Sequence, residues 1–127
     1  MSEKKKVLAL DDQQSMRNIV SFALKKDFDV TVAATSDEAI SKAKEGGFDF
    51  VLLDIVLDDD SRDGIGVAQE LQSLGINIPV AFLSSMDKAT LDPDMASRVE
   101  TLNNIKFYQT KPISPPELIE KIKGVVG

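Results

Sequence analysis

The chain of 127 residues contains no cysteine and no histidine. Without cysteine there is no disulfide, no thiolate nucleophile and no thiolate metal ligand. Without histidine the commonest neutral-pH base and metal ligand is missing, so any chemistry falls to carboxylates, lysines or hydroxyls. Positive charge is not in excess either. The 21 acidic and 15 basic residues leave a net charge of −6, which argues against direct, non-specific contact with nucleic acid. No apolar run approaches the ~18 residues of a membrane span. The start, rich in lysine at Lys4, Lys5 and Lys6, leads into a strand-like segment without a signal-peptide pattern. A cytoplasmic protein with no membrane partner is expected. The length suits one domain spanning residues 1–127, and an apolar content of 43% is enough for one core.

Short apolar segments alternate with helical patterns along the whole chain. Strands are expected over residues 6–10, 28–32, 49–54, 78–84 and 105–110. Met16, Ile19, Val20, Ala23 and Leu24 keep the spacing of one buried helix face. Thr35 followed by Glu38 reads as a capping box, and Gly46-Gly47 stops the helix it opens. Val67, Ala68, Leu71 and Leu74 line a third helix that ends at Gly75. Asp92-Pro93 suits the cap and first turn of a fourth. A fifth opens at Ser114 and buries Leu118, Ile119, Ile122 and Val125. Strands alternating with helices imply a parallel sheet covered on both faces. The segments VLAL, FVLL and VAFL are continuously apolar, as central strands are, whereas FDVTV and IKFYQT alternate apolar with polar, as edge strands can. The fold class is therefore α/β, a flavodoxin-like doubly wound sheet of order 2-1-3-4-5 with five helices.

In such sheets ligands bind beyond the carboxyl ends of the strands, near the switch point. Here the first strand ends in Asp11-Asp12, the third in Asp54, the fourth in Ser84-Ser85, and the fifth in Lys111. Asp54 interrupts an apolar run because it ends a buried strand and emerges into that crevice. Paired carboxylates ~4 Å apart repel by about 4 kcal/mol at an effective dielectric near 20. A divalent cation, a lysine or protonation of one member must offset this. An all-oxygen ligand set favours a hard cation, Mg²⁺ or Mn²⁺, over zinc. Metal, lysine, hydroxyl and a carboxylate nucleophile together make a phosphoryl-transfer site.

LALDDQQSMRNIV, FDFVLLD, DGIGVAQEL, PVAFLSS and YQTKP, in that order, span nearly the whole chain. With them the sequence resembles a response-regulator receiver domain of two-component signalling. The resemblance implies that Asp54 is the phosphoacceptor that becomes an aspartyl phosphate. It implies that Asp12 ligates Mg²⁺ directly and Asp11 through water, with Asp54 and the Val56 backbone carbonyl as further ligands. It also implies that Lys111 pairs with the phosphoryl group before a cis bond to Pro112, and that Ser84 and Tyr108 act as the switch hydroxyl and switch aromatic. The signal would leave through the fourth helix, fifth strand and fifth helix. The partners implied are a histidine kinase or histidine phosphotransfer protein, since this chain has no histidine, and a downstream output protein or effector domain. The protein would catalyse only its own phosphorylation and dephosphorylation.

The sequence departs from the family pattern in three places. Asp58 stands where proline is common, in a Leu57–Asp63 loop longer than usual. The stretch between Ser84 and Lys111 is also long, with the surplus in SMDKATLD, and Ser84 replaces the commoner threonine. The Asp58-Asp59-Asp60 run reads as a solvated, flexible loop face. Asp11 and Asp12 alone would equally suit a helix N-cap. One rival function is a receiver-fold binding module whose acidic pocket holds a cation without phosphate switching. Another, a haloacid-dehalogenase-like phosphatase, lacks its second aspartate, because position 56 is Val56 and Asp11-Asp12 are adjacent. A flavin site lacks a phosphate-cradling loop after the first strand.

Overall fold

The structure, a computed structural model, describes residues 4–58 and 60–126, and of Lys88 the backbone alone. Asp59, part of the acidic run, lies outside the described residues. In chain order the elements are β1 (Lys5–Leu10), α1 (Gln14–Leu24), β2 (Phe28–Ala33), α2 (Ser36–Glu45), β3 (Phe50–Asp54), α3 (Gly64–Ser73), β4 (Val80–Ser84), α4 (Pro93–Glu100), β5 (Ile105–Thr110) and α5 (Pro115–Val126). The strands form one parallel sheet of order β2-β1-β3-β4-β5, as the apolar patterns require.

Alternate side chains of the central strands enter two separate cores. Leu8, Leu10, Val51, Leu53 and Phe82 face α2 and α3, where they meet Ala39, Ile40, Ile65, Ala68 and Leu71. Val7, Ala9, Phe50, Leu52, Ala81 and Leu83 face α1 and α5, against Val20, Leu24, Leu118 and Ile122. Both faces being dry explains why these strands are apolar without a break.

Local signals place the helix ends. The Thr35 hydroxyl accepts from the Glu38 amide, while the Glu38 carboxylate reaches back to the Ala34 amide, one residue before the usual capping-box target. Gly46, at φ +86°, ends α2 in a conformation that a side chain would disfavour. Asp92 caps α4 through the Met95 amide, with Pro93 in its first turn. The surplus residues before this cap include a 3-10 turn at Lys88–Thr90.

Two expected core positions are corrected. Ile19 is 49% exposed and Leu74 is 43% exposed. The buried stripe of α1 is narrow, Val20 and Leu24 only, so Ile19 falls beside exposed Phe22 rather than over the sheet. Leu74 is the C-cap of α3, where the chain has turned away from the sheet. The simple alternation expected for β5 is also broken. The partner of Val80 is Ile105, but that of Ala81 is Phe107, so Lys106 forms a bulge. Ile105 and Tyr108, an odd number of residues apart, consequently pack on the same face, the one bearing α3 and α4.

Candidate functional site

Strand register assembles the site. Leu10 pairs with Leu53, so Asp11 and Asp54, each the next residue, emerge side by side. Asp54 pairs with Leu83, and Ser84 with Thr110, which sets Ser84 and Lys111 on the other flank. Carboxylate oxygens of Asp11, Asp12 and Asp54 all lie within 4.8 Å of one another. The expected constellation is therefore brought together at one end of the sheet. Asp11 and Asp12 do not cap α1: its N-cap is Gln13 without a side-chain cap, and the one backbone amide bonded to the Asp11 carboxylate among the described residues is that of Gln13.

Asp54 is only 6% exposed. Burial raises its pKa, Lys111 opposes the rise, and the charges of Asp11 and Asp12 add to it, leaving the group at about 6. Lys111 Nζ sits between the two carboxylates, 3.1 Å from Asp11 and 3.3 Å from Asp54. Two of the three devices anticipated for offsetting repulsion thus operate together, the lysine and a carboxyl held close to protonation. The third, a hard divalent cation, fits the same residues: three convergent carboxylates and no nitrogen or sulfur donor. The Lys111–Pro112 peptide bond is cis.

Ser84 is fully buried, and its hydroxyl accepts from the Met86 amide at 3.1 Å. The buried Tyr108 hydroxyl has no hydrogen-bond partner among the described residues. Burial pushes its pKa up, and the nearby Ser84 offsets this in part without reaching hydrogen-bond geometry. The Tyr108 ring lies 6.2 Å from that of Phe82. A serine hydroxyl bound to the next turn and an unsatisfied tyrosine hydroxyl thus face each other between the acidic crevice and α4. Val56, two residues after Asp54, is 44% exposed.

Several contacts were not legible in the sequence. Gly64 opens α3 directly against the end of β3. A Cβ there would overlap the Asp54 carbonyl oxygen and lie 2.9 Å from the Ile55 Cα, and the Gly64 amide donates to the Ile55 carbonyl. Asp63 caps the same helix through the Gly66 amide and takes a bidentate pair from Arg98 of α4, at 2.7 and 2.8 Å. Burial would raise the Asp63 pKa, but the Arg98 and Gly66 hydrogen bonds outweigh it and hold the carboxyl below its ordinary value. The aspartate–glycine pair at residues 63–64 was a visible signal for the cap; nothing marked Arg98 as its partner.

The acidic loop is also corrected. It is not uniformly a solvated face, because Asp60 accepts from both the amide and the hydroxyl of Ser36 and from the Arg62 amide. Asp58 does remain exposed, as expected, while its backbone amide donates to Asp12 at 2.8 Å.

Comparison with known proteins agrees with this geometry. The family described as "Response regulator receiver domain" matches residues 7–123. The transcriptional regulatory protein TrcR of Mycobacterium tuberculosis is 32% identical over 95% of this chain and 45% of its own length. The alkaline phosphatase synthesis transcriptional regulatory protein PhoP of Bacillus subtilis is 29% identical over 96% of this chain and 48% of its own. The chain thus spans about half the length of these curated relatives. Among solved structures, the receiver domain of Francisella response regulator 1452 superposes with a TM-score of 0.82 at 26% identity, covering 97% of both chains. The Vibrio cholerae chemotaxis protein CheY4 has a TM-score of 0.82 at 24% identity, over 97% of this chain and 99% of that one.

Proposed function

The chain belongs to the response-regulator receiver family, and on that premise we propose that it is a phosphorylatable switch whose acceptor is Asp54. The observation that carries this reading is a buried carboxylate at a strand end, with Lys111 at 3.3 Å and two further carboxylates converging on it. Asp12 and Asp54, with the Val56 backbone carbonyl, would hold Mg²⁺ or Mn²⁺, and Asp11 would reach it through water. When bound, the cation would offset the charge of the crowded carboxylates and stabilise negative charge on the phosphoryl group.

The residues of the chain do the rest. Asp54, ionised, attacks phosphorus through one carboxylate oxygen. The phosphorus–nitrogen bond of a phosphohistidine on a kinase or phosphotransfer partner breaks, and the released imidazole nitrogen takes a proton. Lys111 leaves its bridging position between Asp11 and Asp54 to pair with a phosphoryl oxygen. The Ser84 hydroxyl turns from the Met86 amide towards another, which changes the space open to Tyr108 and the face formed by α4, β5 and α5. That face would signal to an output protein or effector domain, within a cytoplasmic pathway and without direct nucleic-acid or membrane contact. Residues 1–127 would act as one receiver domain, which catalyses only its own phosphorylation and dephosphorylation.

The test is treatment with a small phosphodonor and Mg²⁺, followed by mass spectrometry. One acid- and base-labile adduct on Asp54 is expected, absent from an Asp54→Asn variant and lost with a metal chelator. Full modification of Asp54→Asn would sink the assignment. A wild-type protein that binds Mg²⁺ and never takes up phosphate would favour the unswitched binding module instead.

A further inference from the structure

The acidic run after β3 contains one residue whose contacts differ from those of a loop charge. Asp60 places both carboxylate oxygens on Ser36, accepting from its amide at 2.8 Å and from its hydroxyl, while the Arg62 amide donates to it at 3.1 Å. Ser36 is the first residue of α2 and only 1% exposed. Its amide is one of the donors that the start of a helix leaves without an intrahelical partner. Asp60 supplies that partner from another element, and Arg62 adds a second tie through Asp37 at 2.7 Å. Burial would raise the Asp60 pKa, but the Ser36 and Arg62 hydrogen bonds hold it below the ordinary carboxylate value. The loop is thereby pinned to the N-terminus of α2 at its far end.

Its near end touches the metal crevice. The Asp58 amide donates to Asp12 Oδ2 at 2.8 Å, and the Asp12 carboxylate lies within 4.8 Å of those of Asp11 and Asp54. We propose that Asp60 and Ser36 are positioning residues: they pin the long loop so that the Asp58 amide holds the Asp12 carboxylate in place for a divalent cation. This rests on the reading of Asp12 as a cation ligand. The acidic run then divides its work. Asp58 contributes a backbone donor and Asp60 an anchor, so the extra loop length becomes a brace.

The charge-neutral variant Ser36→Ala separates anchoring from simple loss of negative charge. In metal-free, isotopically labelled protein, the Asp58 amide should exchange with solvent about tenfold faster in Ser36→Ala and Asp60→Ala, while β1 and β3 amides keep wild-type rates. Titration with Mg²⁺ should show affinity weakened by about tenfold in both variants. The double variant should be no weaker than Asp60→Ala alone, because Asp60→Ala already removes both hydrogen bonds to Ser36. Asp60→Asn, which keeps an acceptor oxygen, should fall between wild type and Asp60→Ala. Unchanged Asp58 exchange in Ser36→Ala, or Mg²⁺ affinity within about twofold of wild type, overturns the proposal. A failure of the underlying reading looks different: the wild-type control itself would then show no Mg²⁺ affinity.

Discussion

The two flanks of the site are built differently. On the acidic flank, α2 buries Ser36, Ala39, Ile40 and Ala43, and its N-terminus is tied to Thr35, Asp60 and Asp37 contacts. On the other flank, α4 has no buried residue. It is held by the Arg98–Asp63 pair and by the Gln72 side chain, which bonds the Thr101 carbonyl and the Asn103 amide. Met95 and Val99 are only partly buried against the core. A helix held by polar contacts and a thin apolar edge can shift at low cost, whereas one sunk into a core cannot. The fold thus anchors the acidic end firmly and holds the α4 end more lightly, with Ser84 and Tyr108 standing between them.

The largest expected effect breaks this comparison at its hinge. Gly64→Ala would drive a methyl into the Asp54 carbonyl, where neither backbone can give way easily. A loss of about 3 kcal/mol in chemical denaturation is expected. A near-neutral result would mean that the start of α3 yields freely and that the acidic flank is less fixed than its contacts indicate.

A second effect, of similar size, probes the crowded charge of the crevice. The folded-state pKa of Asp54, about 6, lies above its ordinary 3.8, so the folded chain binds a proton more tightly than the unfolded chain does. In metal-free protein the stabilisation from that proton is complete below about pH 4 and is lost as pH rises through about 6. Asp54→Asn, which is neutral at all pH values, should therefore be more stable than wild type at pH 7 by about 3 kcal/mol. The difference should vanish near pH 4. A gain that persists at low pH would assign the effect to packing rather than charge.

Arg98→Ala should have the smallest effect on stability, about 1 kcal/mol at neutral pH, because both partners retain solvent contact. The Asp63 pKa is depressed, so this stabilisation is present above the ordinary carboxylate range and is lost as pH falls through the depressed value. Hydrogen exchange should quicken in α4 and not in α2. Equal acceleration in both helices would erase the distinction between the flanks.

Most of the fold and the central site could be read from sequence because each rests on short-range signals. Continuous apolar strands gave the sheet order, and strand-terminal Asp11, Asp54, Ser84 and Lys111 needed only a parallel register to converge. What escaped were contacts between elements far apart in sequence. Nothing in the sequence singled out Ser36 or Arg98 as the partner of a distant aspartate. The Lys106 bulge, which puts Tyr108 on the α4 side, leaves no mark in composition. Ile19 fitted a helical period that was broader than the stripe the sheet could cover.

The most direct test combines Mg²⁺ with beryllofluoride, a mimic of the phosphoryl group, and follows backbone amide resonances in wild type and Ser84→Ala. In wild type, changes should extend beyond the crevice to Tyr108 and α4, while Thr35, Ser36 and the rest of the α2 start keep their positions. In Ser84→Ala, the crevice should still respond and the changes at Tyr108 and α4 should shrink. Changes as large at the start of α2 as in α4, or a Tyr108 response undiminished in Ser84→Ala, would contradict a fixed acidic flank coupled to a movable one.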